Sequence, residues 1–143
     1  MGNLIEVKNL KKYFKTPGGY LHAVDDVSFS IPAGSTLGVV GESGCGKSTL
    51  GRVIIRLLDS TEGTILFNGQ DITDIKETKA LRREMQIVFQ DPFASLNPRM
   101  SVSEIIGEPL RIHNICRGAE LQKRVEELMD TVGLAQRFAG SYP

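Results

Sequence analysis

Gly41-Glu42-Ser43-Gly44-Cys45-Gly46-Lys47-Ser48 is the stretch on which the fold of this chain turns. It fits the phosphate-wrapping pattern G-x-x-x-x-G-K-[ST] in full, and roughly 0.01 accidental matches are expected in a chain of this length and composition. Context weighs more than the odds. Ser35 to Val40, just before the loop, is an apolar run with the look of a buried strand. After the loop, Leu50, Val53, Ile54, Leu57 and Leu58 recur at helical spacing, which predicts a helix over Lys47–Leu58. Gly41, Gly44 and Gly46 permit the backbone angles that turn successive N–H groups inward as an anion cradle. The helix N-terminus adds partial positive charge beneath it. Lys47 brings a full charge to the β and γ phosphates of a nucleotide. The Ser48 hydroxyl is placed to ligate Mg²⁺, and Thr49 offers a second hydroxyl near the α phosphate. Cys45 needs only to be small, and Glu42 and Ser43 complete the loop.

Working outward, residues 3–9 alternate in polarity as a half-buried strand, and Pro17-Gly18-Gly19 signals a turn. Leu21 to Ile31 reads as a second strand with broken alternation, ended by Pro32-Ala33-Gly34. Gly63 to Phe67 is a third strand, and Asn68-Gly69 is a hairpin turn into Gln70-Asp71-Ile72. A short helix over Thr78–Arg83 and a compact apolar strand over Met85–Phe89 follow. The character changes after Gln90, where Asp91-Pro92 and Asn97-Pro98-Arg99 predict an irregular loop. Ser101 and Glu104 have capping-box spacing at the start of a helix running to Ile112. A last helix spans Ala119–Val132, with Gly133 as its stop. Strands, a strand–loop–helix unit and then helices make a mixed α/β layout.

The 143 residues carry 17 basic and 17 acidic side chains. That balance argues against a protein whose main work is to coat nucleic acid or an anionic membrane, and no nucleic-acid partner is expected. A local basic excess at Lys8, Lys11, Lys12 and Lys15 reads as a solvated edge. No apolar run approaches the ~20 residues of a membrane-spanning helix, and no secretory leader is visible. Cys45 and Cys116 have no metal-ligand spacing and fit a reducing, cytosolic compartment. His22 and His113 read as solvated surface residues.

Most P-loop classes hold Mg²⁺ through a second acid at the end of an apolar strand. Asp91 is the one tempting candidate here, and Gln90 interrupts the run before it. Taken together, Val7-Lys8-Asn9-Leu10, Ala23 to Phe29, Gly41 to Thr49, Gly63-Thr64-Ile65 and Ile87-Val88-Phe89-Gln90 resemble the ATP-binding subunit of ABC transporters over essentially the whole chain. Gln90 to Met100 is similar to the corresponding region of oligopeptide and dipeptide importers.

The resemblance implies a P-loop ATPase core with an antiparallel β subdomain over 1–90. It implies a glutamine-loop region and the start of a helical subdomain over 91–143. It implies ATP as ligand, with Gly41 to Thr49 on the phosphates and a base-stacking aromatic at Phe14, Tyr13 being the alternative. Lys47 and Gln90 then serve hydrolysis, and Ser48 and Gln90 serve Mg²⁺. Implied partners are transmembrane permease subunits and a second ATP-binding subunit, so that the protein lies at the cytoplasmic face of the membrane and touches it only through the permease.

The family's signature motif, second acid, catalytic Glu and switch His have no counterpart before Pro143. The chain is therefore expected to be the N-terminal portion of a longer ATPase, inactive alone. In the resembled fold, Leu37–Val40 and Ile87–Phe89 are strands of one parallel sheet, separated by strands from later in the sequence. Without those, either a direct pairing of the two segments or a self-associated oligomer is expected. Two further readings stay open. One is a soluble cassette ATPase of DNA repair or translation, though such proteins tend to insert long arms after the glutamine loop. The other is a nucleotide-binding module without hydrolysis.

Overall fold

The computed structural model describes residues 2–143 and divides into two compact units, 2–86 and 87–143. In the first, β1 (Asn3–Thr16), β2 (Gly19–Pro32), β3 (Glu62–Phe67) and β4 (Gln70–Asp71) form an antiparallel sheet in the order β2-β1-β3-β4. Helix α1 (Lys47–Ile54) packs on β1 and β2, and α2 (Lys79–Glu84) follows. The core is Val7, Leu10, Val24, Leu50, Val53, Ile65, Ile72, Leu81 and Met85.

Strand β1 runs seven residues beyond the expected end at Asn9, because a bulge carries it past that point. Val7 and Leu10 are both buried although three positions apart, which a strict period of two forbids. The register shifts between them, with Asn9 in the left-handed region at φ 47°. Its backbone N–H donates to Ser28 Oγ at 2.8 Å and its side chain to Asp26 Oδ1 at 2.9 Å, so β2 satisfies the bulge. The antiparallel part survives as expected. Asn68 and Gly69, at φ 50° and 78°, make the two-residue turn that joins β3 to β4.

Two expected strands are absent. Ser35–Val40 and Met85–Phe89 carry no strand pairing, and no direct pairing of Leu37–Val40 with Ile87–Phe89 replaces it. An apolar run becomes a strand only when a neighbour takes its N–H and C=O groups. None of the described strands does so here, and Val40 and Val88 are left 93% and 97% exposed.

The helix after the loop also ends early, at Ile54 rather than Leu58. Arg56 adopts φ 59°, and the Leu57 and Leu58 N–H groups both donate to Arg52 O, at 2.8 and 3.2 Å. A left-handed stop built on arginine instead of glycine leaves no sign in the sequence. Arg82 of α2 closes that helix end by donating to the carbonyls of Ile55 and Arg56.

In the second unit, α3 (Pro92–Ser95) replaces part of the expected loop. Asp91 caps it by accepting from the Phe93 and Ala94 N–H groups at 3.0 and 3.2 Å. Helix α4 (Val102–Ile112) starts in a complete capping box between Ser101 and Glu104. The Val102 and Ser103 N–H groups donate to the carbonyls of Ser141 and Ala139, so the last residues cover the start of α4. Helix α5 (Gly118–Thr131) packs on α4 at Gly107, where a Cβ would already touch Val125 and Leu121 at 3.4 and 3.5 Å. Gly133, at φ 71°, follows its end. No helix of the described residues is long and apolar enough to cross a membrane.

Candidate nucleotide site

The loop from Gly41 to Gly46 ends directly on α1, whose first backbone bond runs from Leu50 N–H to Gly46 O at 2.8 Å. Gly44 and Gly46 have φ of 78° and 100°, angles that a side chain would resist. Gly46 is fixed further by its neighbour: a Cβ there would sit 2.1 Å from the carbonyl oxygen of Ala23 on β2. Ala23 lies where the β1–β2 register slips between Lys12↔Val24 and Tyr13↔His22. The start of α1 is thus seated on a bulge of the hairpin.

Lys47 folds back over the loop, its Nζ donating to Gly41 O at 2.8 Å and to Glu42 O at 2.6 Å. Cys45 Sγ is 3.6 Å from the same nitrogen. The ammonium therefore sits above the backbone that turns toward the cleft, where an anion would meet it together with the α1 N-terminus. Ser48 is exposed at the second position of α1, with no hydrogen-bond partner for its hydroxyl among the described residues.

A cleft of about 370 Å³ joins this loop to the hairpin. Gly44 to Thr49 form one wall and Phe14, Leu21, His22 and Ala23 the other. Phe14, half-buried with Lys12 Nζ 5.0 Å from its ring centre, therefore lies in the same cleft as the loop. Tyr13 is not among the lining residues. Its ring stacks on His22 with centroids 3.8 Å apart and planes 11° from parallel, and its hydroxyl donates to Asp25 Oδ1. His22 Nδ1 faces the other oxygen of Asp25 at 3.5 Å. The Tyr13 bond is the main influence holding the Asp25 carboxyl below its ordinary pKa, with His22 adding to it, and the same bond raises the Tyr13 phenol.

His22 is exposed, as expected of a solvated surface residue, and it also lines the cleft. A signal for it exists: a two-residue turn at Pro17-Gly18 sets Thr16 opposite Gly19 and hence Tyr13 opposite His22. Gln90 belongs to the second unit, exposed in a bend just before α3. Asp91, the other acid considered for metal, is occupied as the cap of that helix. No group of three or more His, Cys, Asp or Glu suited to a metal ion occurs among the described residues. Mg²⁺ does not require such a cage, since it keeps several waters and is held by one or two protein oxygens together with substrate phosphates. The free Ser48 hydroxyl beside Lys47 fits that demand.

A glycine loop entering a helix, with its lysine over the loop backbone and a cleft above, defines a P-loop nucleotide-binding protein. More narrowly, the chain belongs to the ABC transporter family, whose model matches residues 24–141. It is 54% identical to the oligopeptide transport ATP-binding protein OppF of Bacillus subtilis (strain 168), covering 98% of this chain and 47% of that protein. AppF of the same organism, also an oligopeptide transport ATP-binding protein, is 51% identical over 98% of this chain and 46% of its own length. The chain thus spans about half the length of the curated relatives it matches. Among solved structures, the ATP-binding cassette MJ0796 in a dimeric post-hydrolysis state with ADP and Pi superposes with a TM-score of 0.79 and 29% identity. That match covers 97% of this chain and 61% of the cassette.

Proposed function

We propose that this chain is the ATP-binding portion of an ATPase that energises import of a solute, peptides being the class, across a membrane. The phosphate cradle carries the proposal: Lys47 over Gly41 and Glu42, Gly44 and Gly46 in left-handed conformations, and α1 opening beneath them. Family membership and the oligopeptide transport names of the relatives support the transport role and the peptide class.

Gly41 to Thr49 bind the phosphates, and Phe14 contacts the base. Lys47 exchanges its two carbonyl partners for the β and γ phosphates. Ser48 would hold Mg²⁺, with Gln90 as the second ligand that the family resemblance implies, and the ion would offset negative charge on the phosphates. Permease subunits and a second ATP-binding subunit are the partners, with the protein peripheral at the cytoplasmic face.

Calorimetric titration of Mg-ATP tests the cradle. Charge-assisted contacts are worth ~1.5–3 kcal/mol, so Lys47→Ala weakens binding at least about tenfold. Equal affinity in the two proteins would overturn the assignment.

A further inference from the structure

Helix α1 opens on the phosphate loop and closes on an arginine brought from elsewhere in the chain. Gly46 caps its start without a side-chain hydrogen bond, and its first turn holds no acidic residue. The N–H groups that would meet phosphate thus have no side chain of their own to fix them. An eight-residue helix is marginal by itself, so its order has to come from packing and from the far end. We propose that Arg82 is a positioning residue for nucleotide binding: by holding the C-terminal end of α1, it keeps the phosphate-facing end in place. The proposal rests on the nucleotide assignment above and deepens it, because it names a residue outside the cleft lining on which phosphate affinity depends.

Three observations carry it. Arg82 Nη1 donates to Ile55 O and Nη2 to Arg56 O, the latter at 2.6 Å, so one planar fork takes two successive carbonyls at the end of α1. A cation there also suits the negative end of the helix dipole. The donor is itself fixed. Its own N–H bonds to Thr78 O at 2.9 Å, and its neighbours Leu81 and Met85 lie in the core together with Leu50 and Val53 of α1. Arg56 holds φ 59°, a conformation that a non-glycine residue keeps only where its surroundings hold it. Arg83, the next residue, is exposed, and its side chain makes no hydrogen bond or ion pair among the described residues. It therefore supplies a control of equal charge. A fork serving only to stabilise the fold would leave the affinity of the folded protein untouched.

The test is calorimetric titration of Mg-ATP and of inorganic tripolyphosphate, at a temperature where thermal melts show each variant folded. Arg82→Ala weakens both ligands by the same factor, about three- to tenfold, because the cradle they share is disturbed. Arg83→Ala, which removes the same charge, leaves both affinities unchanged. Arg82→Lys, which keeps the charge and can reach one carbonyl, recovers part of the loss. Should Arg82→Ala fail to fold, Arg82→Met keeps the apolar stem without the fork and takes its place. If the Arg82 variant binds as the wild type does, or if Arg83→Ala weakens binding equally, the positioning role is overturned. The phosphate cradle still stands in that case, provided that Lys47→Ala weakens Mg-ATP. If the wild type binds neither ligand, both assignments fall.

Discussion

The carbonyl oxygen of Ala23 and the α-carbon of Gly46 meet so closely that a methyl group on Gly46 would lie 2.1 Å from that oxygen. Both partners are backbone, so neither can rotate away. Gly46 also holds φ 100°, which a side chain resists on its own account. Gly46→Ala is accordingly expected to cost about 2–4 kcal/mol and to shift the start of α1 off the hairpin. Gly41→Ala meets only the Cys45 thiol, 2.7 Å away on a side chain that can turn, and should cost under about 1 kcal/mol. Denaturant unfolding of the two variants checks this. Comparable losses would mean that the Ala23 contact does not hold the loop.

ATP turnover by this chain alone is expected to be absent. Phosphoryl transfer needs a positioned water and a base as well as phosphate and metal clamps. Lys47, Ser48 and Gln90 are proposed only as clamps, and Asp91, the acid next to Gln90 in sequence, already accepts two backbone N–H groups of α3. Phosphate release above background, lost in Lys47→Ala and independent of any added protein, would overturn this and make Asp91 a candidate for the base.

Acid should loosen the second unit through Glu104. Bonds from the Ser101 backbone N–H and hydroxyl, both to Oε2 at 2.7 and 2.8 Å, hold its carboxyl below the ordinary glutamate pKa. The folded state thus favours the charged form. Its contribution is complete above the unfolded glutamate value and drains away as pH falls through the lower folded one. Thermal melts of wild type and Glu104→Gln should therefore differ above that window and converge below it. Ser101→Ala removes the cap itself and is expected to cost ~1 kcal/mol.

Residues 91–112 are expected to meet the permease. Pro92–Ser95 form a capped turn of helix whose Phe93 is 83% exposed, next to the glutamine assigned to the nucleotide. Loops on a rigid scaffold often carry such contacts. Reversing the charge at Arg99 and adding bulk at Ala94 should reduce permease association and transport while leaving Mg-ATP affinity unchanged. Unaltered transport in both variants would place the contact elsewhere.

Local chemistry made much of this protein readable from its sequence. The phosphate loop, the Asn68-Gly69 turn, the Ser101–Glu104 cap and the Gly133 stop each lie within a few residues of what they control. Such features follow from backbone angles and hydrogen bonds that their own residues supply. Where the governing partner is distant in the chain, only the tertiary structure decided. Leu37–Val40 and Ile87–Phe89 have strand-like composition, yet a strand is a property of a pair of segments, and neither has a partner among the described strands. Strand β1 outruns Asn9 because Asp26 and Ser28, on the neighbouring strand, satisfy its bulge. Helix α1 ends on an arginine, and Arg82 from α2 takes up the carbonyls left free. His22 lines the cleft for the same reason: two bulged strands and the start of a helix had to be brought together before that residue stood across from the loop.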